Sequence, residues 1–272
     1  VNHIGDFFTF GGQMNILKNI LHFLWRLWFY ILILFAILLL FPFLVIIAGS
    51  ERLYRRFFIV ARIWAKIVLF GMGFFPKIKR LEKMKPGKPY MIVSNHSSMI
   101  DIMLMFHVIR QPFVFVGKKE LAKFPIFGFF YRKTCILVDR KNVKSRSEVF
   151  TQAHQKLKQG VGICIFPEGG VPDDETVLLD NFKDGAFRLA AEHNLTIVPI
   201  VIYNSKKRYP YTFYKGSPGT LHVKTLPFIQ PKGNNPEIRR NLREQTRELI
   251  LEELKKNPTK TKAIDQFPKG NY

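Results

Sequence analysis

"YMIVSNHSSMIDIMLM", residues 90–105, passes from a β-branched apolar run through a short polar turn into a second apolar run. Tyr90 to Ser94 is short and rich in residues that favour strands, so it reads as a buried strand. Ser97 or Ser98 then stands where a helix cap belongs, which predicts a helix from about Met99. A strand feeding directly into a helix is the repeating unit of an α/β fold.

The unit recurs along the chain. "FVFVG" (113–117), "CILVD" (135–139), "VGICIF" (161–166), "IVPIVIY" (197–203) and "LHVKTL" (221–226) are further strand-like runs. Between them lie helical patterns such as "SRSEVFTQAHQKLKQG" (145–160), which closes at Gly160, and "DGAFRLAAEHN" (184–194). This alternation predicts an α/β domain with a central, largely parallel sheet flanked by helices. We expect that domain to span residues 77–257, ending in the charged helix that opens near Asn235–Pro236. Residues 258–272 read as a loose basic tail.

Polar or glycine-containing groups follow four of the strands: Asn95-His96, Gly117-Lys118-Lys119, Asp139-Arg140 and Pro167-Glu168-Gly169-Gly170. Parallel α/β sheets bind ligands beyond the carboxyl ends of their strands, so these groups are expected along one sheet edge. Within the first group, His96 precedes Asp101 by five residues. On a regular helix, positions five apart lie roughly 140° apart and do not meet. They meet if His96 sits in the turn and Asp101 in the first helical turn, where the helix dipole favours its negative charge. Asp101 would then accept from one imidazole nitrogen and leave the other as a base. By itself the spacing also fits a capped helix beside a surface histidine. Two such residues without further His or Cys do not make a metal site.

Ahead of this domain the chain changes character. Leu27 to Ser50 carries no charged side chain, and about 20 apolar residues suffice to cross a bilayer. We therefore expect a membrane anchor over residues 14–76, taking Met14 as the start, with a spanning segment at about 27–50. "RRFFIVARIWAKIVLFGMGFF" (55–75) reads as an interfacial helix with snorkelling basic residues, or as a second membrane helix. Arg52, Arg55, Arg56, Arg62 and Lys66 follow the uncharged run, whereas only Lys18 and Arg26 precede it closely. This bias predicts a cytoplasmic catalytic domain on an inner or plasma membrane.

The 42 Lys and Arg against 20 Asp and Glu, a formal charge of +22, call for a polyanionic partner. The anchor favours anionic lipid over nucleic acid, for which no binding motif is present. A non-catalytic lipid-binding module would share the charge and the anchor, but not the reason for His96, Asp101 and Glu168. Cys135 and Cys164 each lie inside an apolar run and read as buried free thiols.

Four ordered blocks within about residues 90–205 resemble the glycerolipid acyltransferases, the 1-acyl-glycerol-3-phosphate (lysophosphatidate) acyltransferase family. "NHSSMID" (95–101) is similar to the family's His-x4-Asp block. "GKKELAKFPIFGFF" (117–130) with "ILVDR" (136–140) resembles the second, matching at Lys118, Glu120, Pro125, Gly128 and Arg140. "FPEGG" (166–170), followed by "FKDGAFRLA" (182–190), resembles the third, and "IVPIVI" (197–202), centred on Pro199, the fourth. The resemblance implies O-acyl transfer from acyl-CoA or an acyl carrier protein to a lysophospholipid hydroxyl, with no metal or redox cofactor. It implies His96 as base and Asp101 as its orienter. Glu168, Gly169 and Pro199 in the matched blocks are implied to hold the acceptor. The third block usually continues with threonine, arginine and serine. Here Gly170-Val171-Pro172 stands instead, so the arginine commonly assigned to the acceptor's phosphate is missing. Lys118, Lys119, Arg140 and Lys183 are the candidates to supply its charge, and a different acceptor, such as a lyso-aminolipid, is the alternative.

Overall fold

The computed structural model describes residues 3–48, 53–124, 127–139, 142–172 and 177–256. Its centre is a seven-stranded sheet: β1 (Phe74–Arg80), β2 (Met91–Ser94), β3 (Phe113–Lys118), β4 (Cys135–Val138), β5 (Gly162–Ile165), β6 (Ile197–Ile202) and β7 (Gly219–Thr225). The order is β1-β7-β6-β2-β5-β3-β4. Every neighbouring pair is parallel except β6 with β7, so β1 and β7 run against the other five. β2 and β6 are buried at every residue, as expected of central strands covered on both faces.

The helices are α1 (His3–Ala48), α2 (Tyr54–Gly71), α3 (Asp101–Val108), α4 (Phe127–Thr134), α5 (Val143–Lys158), α6 (Gly185–Glu192), α7 (Ser205–Arg208) and α8 (Pro236–Lys255). α5 packs on β4 and β5, α6 on β2, and α8 on β6 and α6. α2 packs against α3, while α4 lies on β3, β4 and a 3-10 turn at Lys119–Lys123. The expected largely parallel sheet flanked by helices is present. Cys135 and Cys164 are free, and burial pushes both thiols up from their ordinary pKa.

One strand escaped the sequence reading. β1 straddles the expected boundary between the anchor and the domain, and pairs in parallel with β7 from Phe74–Gly219 to Arg80–Thr225. It is an edge strand, where Pro76 costs no ladder bond on its open side. Lys77 and Lys79 fall on the exposed alternate positions, but the apolar Phe75 on that same face and Pro76 on the inner one hide the strand pattern.

The N-terminal helix also differs from expectation. α1 is a single helix of 46 residues, and its apolar stretch, Ile16–Phe43, starts well before Leu27 and contains Lys18 and Arg26. Phe29, Leu32, Ala36 and Leu40 form a buried stripe at helical spacing. Leu27, Trp28, Ile31, Leu34, Phe35, Leu38 and Leu39 face outward, exposed. α2 is seated against α1 and the domain: the Tyr54 hydroxyl donates to Phe113 O at 2.7 Å, and Trp28 Nε1 to Gly71 O at 2.9 Å. Arg62, read as a snorkelling residue, donates from Nε to Phe106 O at 3.1 Å instead. Gly71 permits the close approach, because a β-carbon there would lie 2.4 Å from Leu32 Cδ2.

Candidate active site

β2, β3, β4 and β5 are mutually parallel, so their carboxyl ends share one edge. His96 stands at that edge immediately after β2. Asn95 fixes where the strand stops. Its amide donates to Ile202 O at 2.9 Å and accepts from Ile202 N at 2.9 Å, imitating a ladder pair with the end of β6.

The turn that follows is built around one oxygen. Asp101 Oδ2 accepts from Ser97 N and Ser98 N, both at 2.8 Å, and meets His96 Nδ1 at 3.0 Å. Ser98 Oγ makes only a long cap contact, accepting from Ile100 N at 3.5 Å, while the carboxylate one turn later binds the amides of both serines. The helix begins at Asp101, two residues after the expected Met99, because Asp101 N bonds back to Ser98 O. Ser97 Oγ bonds Ser205 Oγ at 2.8 Å, and Ser98 Oγ donates to Tyr209 O. Asp101 is fully buried, and the three donors on Oδ2 offset the desolvation of its charge.

An ionised carboxylate only accepts, so in the neutral imidazole the proton belongs on Nδ1 and Nε2 is the free acceptor. The ring plane is held as well. His96 stacks on Phe166 with centroids 4.3 Å apart and planes 18° apart, and Phe166 stacks on Phe115 at 5.9 Å. The imidazole is 16% exposed: accessible, yet confined to one orientation.

Glu168 supplies the other half of the frame. Its Oε1 accepts from His96 N at 2.8 Å and its Oε2 from Asp180 N at 3.0 Å. Burial raises its pKa above the usual carboxylate value, and the two backbone donors pull in the opposite direction. Gly169 follows with φ of 83°, a conformation other residues rarely adopt. A β-carbon there would also lie 2.6 Å from Lys183 Nζ, so Lys183 lies across this turn, and its amide bonds Pro167 O at 2.9 Å.

A cleft of about 110 Å³ opens beside the histidine, lined by residues that include Asn95, His96, Ser97, Glu168, Leu178, Tyr203 and Lys206. A larger groove of about 690 Å³ lies elsewhere, between α6 and α8, lined mainly by arginines. The chemistry-bearing residues gather at the smaller one.

Of the residues singled out in the sequence, His96, Asp101, Glu168, Gly169 and Lys183 are brought together. Lys118 and Lys119 are exposed at the end of β3, on the same sheet edge but away from the cleft lining. Pro199 is not at the site: it is buried within β6 opposite Val93, and its carbonyl accepts from Leu226 N. Arg140 and Pro125 lie outside the described residues. The segment after β6, with Tyr203, Ser205 and Lys206, was missed. Its signal was available, since "IVPIVIY" is followed by Asn204-Ser205-Lys206-Lys207-Arg208, a fifth strand ending in a polar group.

A buried acid orienting a histidine at the carboxyl edge of an α/β sheet, beside a cleft, is the arrangement of a base-catalysed transferase or hydrolase. Residues 76–203 match the acyltransferase family model. The chain is 31% identical over 172 residues to a mouse 1-acyl-sn-glycerol-3-phosphate acyltransferase alpha, covering 61% of this chain and 58% of that protein. It is 28% identical over 194 residues to the human protein of that name, covering 71% and 68% respectively. In fold it is similar to the crystal structure of a 1-acyl-sn-glycerophosphate acyltransferase, PlsC, from Thermotoga maritima. The TM-score is 0.71 at 22% identity, over 88% of this chain and 97% of that one. The family match spans residues 76–203, a little under half of the chain, and takes in His96, Asp101 and Glu168.

Proposed function

We propose that this protein is an O-acyltransferase that moves a fatty acyl group from a thioester to the free hydroxyl of a lysophospholipid. The His96–Asp101 pair beside the cleft carries the reading. His96 Nε2 takes the acceptor hydroxyl proton as the oxygen attacks the thioester carbonyl. The tetrahedral intermediate collapses with loss of the thiolate, which recovers the proton from His96. Asp101 stabilises the imidazolium formed in between. The thioester is already activated, so positioning and charge suffice without a covalent enzyme intermediate.

Glu168 holds the backbone of His96 and of Asp180 on either side of the cleft, and so supports the geometry the acceptor meets. The names of the relatives support 1-acyl-sn-glycerol-3-phosphate as acceptor and phosphatidate as product. Lys118, Lys119 and Lys183 supply positive charge on the same sheet edge, suited to the phosphates of acyl-CoA or to an acidic acyl carrier protein. The outward apolar face of α1 supports a membrane-bound enzyme. The basic residues after α1 favour a catalytic domain on the cytoplasmic face. On this reading the anchor covers residues 14–76, the catalytic domain 77–257 and the basic tail 258–272.

The test is turnover by purified protein given acyl-CoA and lysophosphatidate. His96→Ala should reduce it to background while leaving the circular dichroism spectrum and melting temperature close to wild type. Wild-type turnover by folded His96→Ala protein would exclude the histidine as base.

A further inference from the structure

The turn at Gly170-Val171-Pro172 leaves the cleft without the arginine that the resembled block usually carries, but another cation lines it. Among the described residues lining the cleft, Lys206 is the one lysine or arginine. Lys183 turns toward Gly169 instead, and Lys118 and Lys119 stand outside the lining.

Lys206 sits on a rigid support. Asn95 clamps both the amide and the carbonyl of Ile202, four residues before it. Asn204 is fixed by donation to Thr220 O and acceptance from His222 N, each at 2.9 Å. Ser205, its immediate neighbour, bonds Ser97, the immediate neighbour of His96. Tyr209 on the far side is bonded through its carbonyl to Ser98. The backbone carrying Lys206 is thus tied on both sides to the turn that carries the histidine. An ammonium on such a support is a compact point charge on a flexible stem, able to follow a phosphate within the cleft.

Building on the acyltransferase reading, we propose that Lys206 binds the phosphate monoester of the acceptor, and so selects a phosphorylated lysolipid despite the missing arginine. Charge-assisted hydrogen bonds of this kind contribute about 1.5–3 kcal/mol, or roughly ten- to more than a hundredfold in affinity. Lys206→Met should therefore raise the KM for lysophosphatidate by about ten- to a hundredfold. The KM for the acyl thioester, and any turnover of a monoacylglycerol, which lacks the phosphate, should stay as in wild type. Lys206→Arg should restore most of the loss. An unchanged KM for lysophosphatidate, or equal losses with both acceptors, would overturn the assignment. Binding of lysophosphatidate to His96→Ala protein, with and without Lys206→Met, reads the contact without chemistry. Weaker binding in the double variant supports the phosphate contact even if the acyl-transfer reading fails; equal binding refutes it.

Discussion

Asp101 does two things with a single oxygen: it shapes the turn through two amides, and it orients the imidazole. Asp101→Asn leaves a carbonyl able to accept from those amides but removes the charge that stabilises imidazolium. Charge-assisted bonds are about twice as strong as neutral ones, so we expect kcat to fall by roughly ten- to a hundredfold or more, with little change in KM. Steady-state kinetics at saturating acceptor measures it. Glu168 is a different case, because both of its oxygens are occupied by backbone donors. In Glu168→Gln one donor faces an amide NH2 and loses its partner. A buried donor so stranded costs about 1–3 kcal/mol. The expected outcome is a lower melting temperature together with a drop in kcat. A variant that matched wild type in both would show that the Glu168 charge and one of its two bonds are dispensable.

At the scale of the element, α1 does more than present an apolar face. Arg26 is 4% exposed, donating from Nη2 to Pro210 O at 2.6 Å, Thr212 O at 2.7 Å and Lys215 O at 3.3 Å. Its guanidinium lies 4.6 Å above the Tyr209 ring and 5.4 Å from that of Phe213. His22, one turn earlier on α1, adds a contact to Gly216 O at 3.3 Å. The loop after α7 is therefore closed by the helix, and through Tyr209 and Ser98 the helix is connected to the turn that carries His96. Arg26→Met retains the stem but strands the loop carbonyls, at about 1–3 kcal/mol. For a protein of this size that corresponds to a fall of roughly 2–12 °C in melting temperature. Thermal unfolding in detergent, followed by circular dichroism, checks it, and an unchanged midpoint would mean the loop is held by its other contacts.

For the whole molecule, the excess of positive charge and the outward apolar face of α1 combine into one expectation about placement. Basic residues retained on the cytoplasmic side orient a membrane helix, and the cluster after α1 belongs to α2 and the domain beyond it. Gly270→Cys should react with a membrane-impermeant maleimide only after intact cells are permeabilised. Labelling of unbroken cells would reverse the orientation and with it the side on which acyl transfer takes place.

What could be read from the chain alone followed the range of the interactions. The strands β2 to β6 and the helices between them declare themselves by local periodicity, and the His96–Asp101 pair spans one turn and the start of one helix. Both signals are complete within a few residues. β1 was hidden because Phe75 and Pro76 obscure the alternation, and because an edge strand exists only through its partner, β7. Pro199 matched a block, yet its place within the buried β6 keeps it out of the cleft. Glu168 meets His96 N across 72 residues, Asn95 meets Ile202 across 107, and Ser97 meets Ser205 across 108. Those contacts depend on β5, β2 and β6 lying side by side, an order that no local pattern specifies. Sequence determined the α/β class, the apolar N-terminal helix and the pairing of His96 with Asp101. Tertiary structure decided what surrounds that pair, because a buried polar group takes whichever partner the packing of distant strands brings within hydrogen-bonding reach.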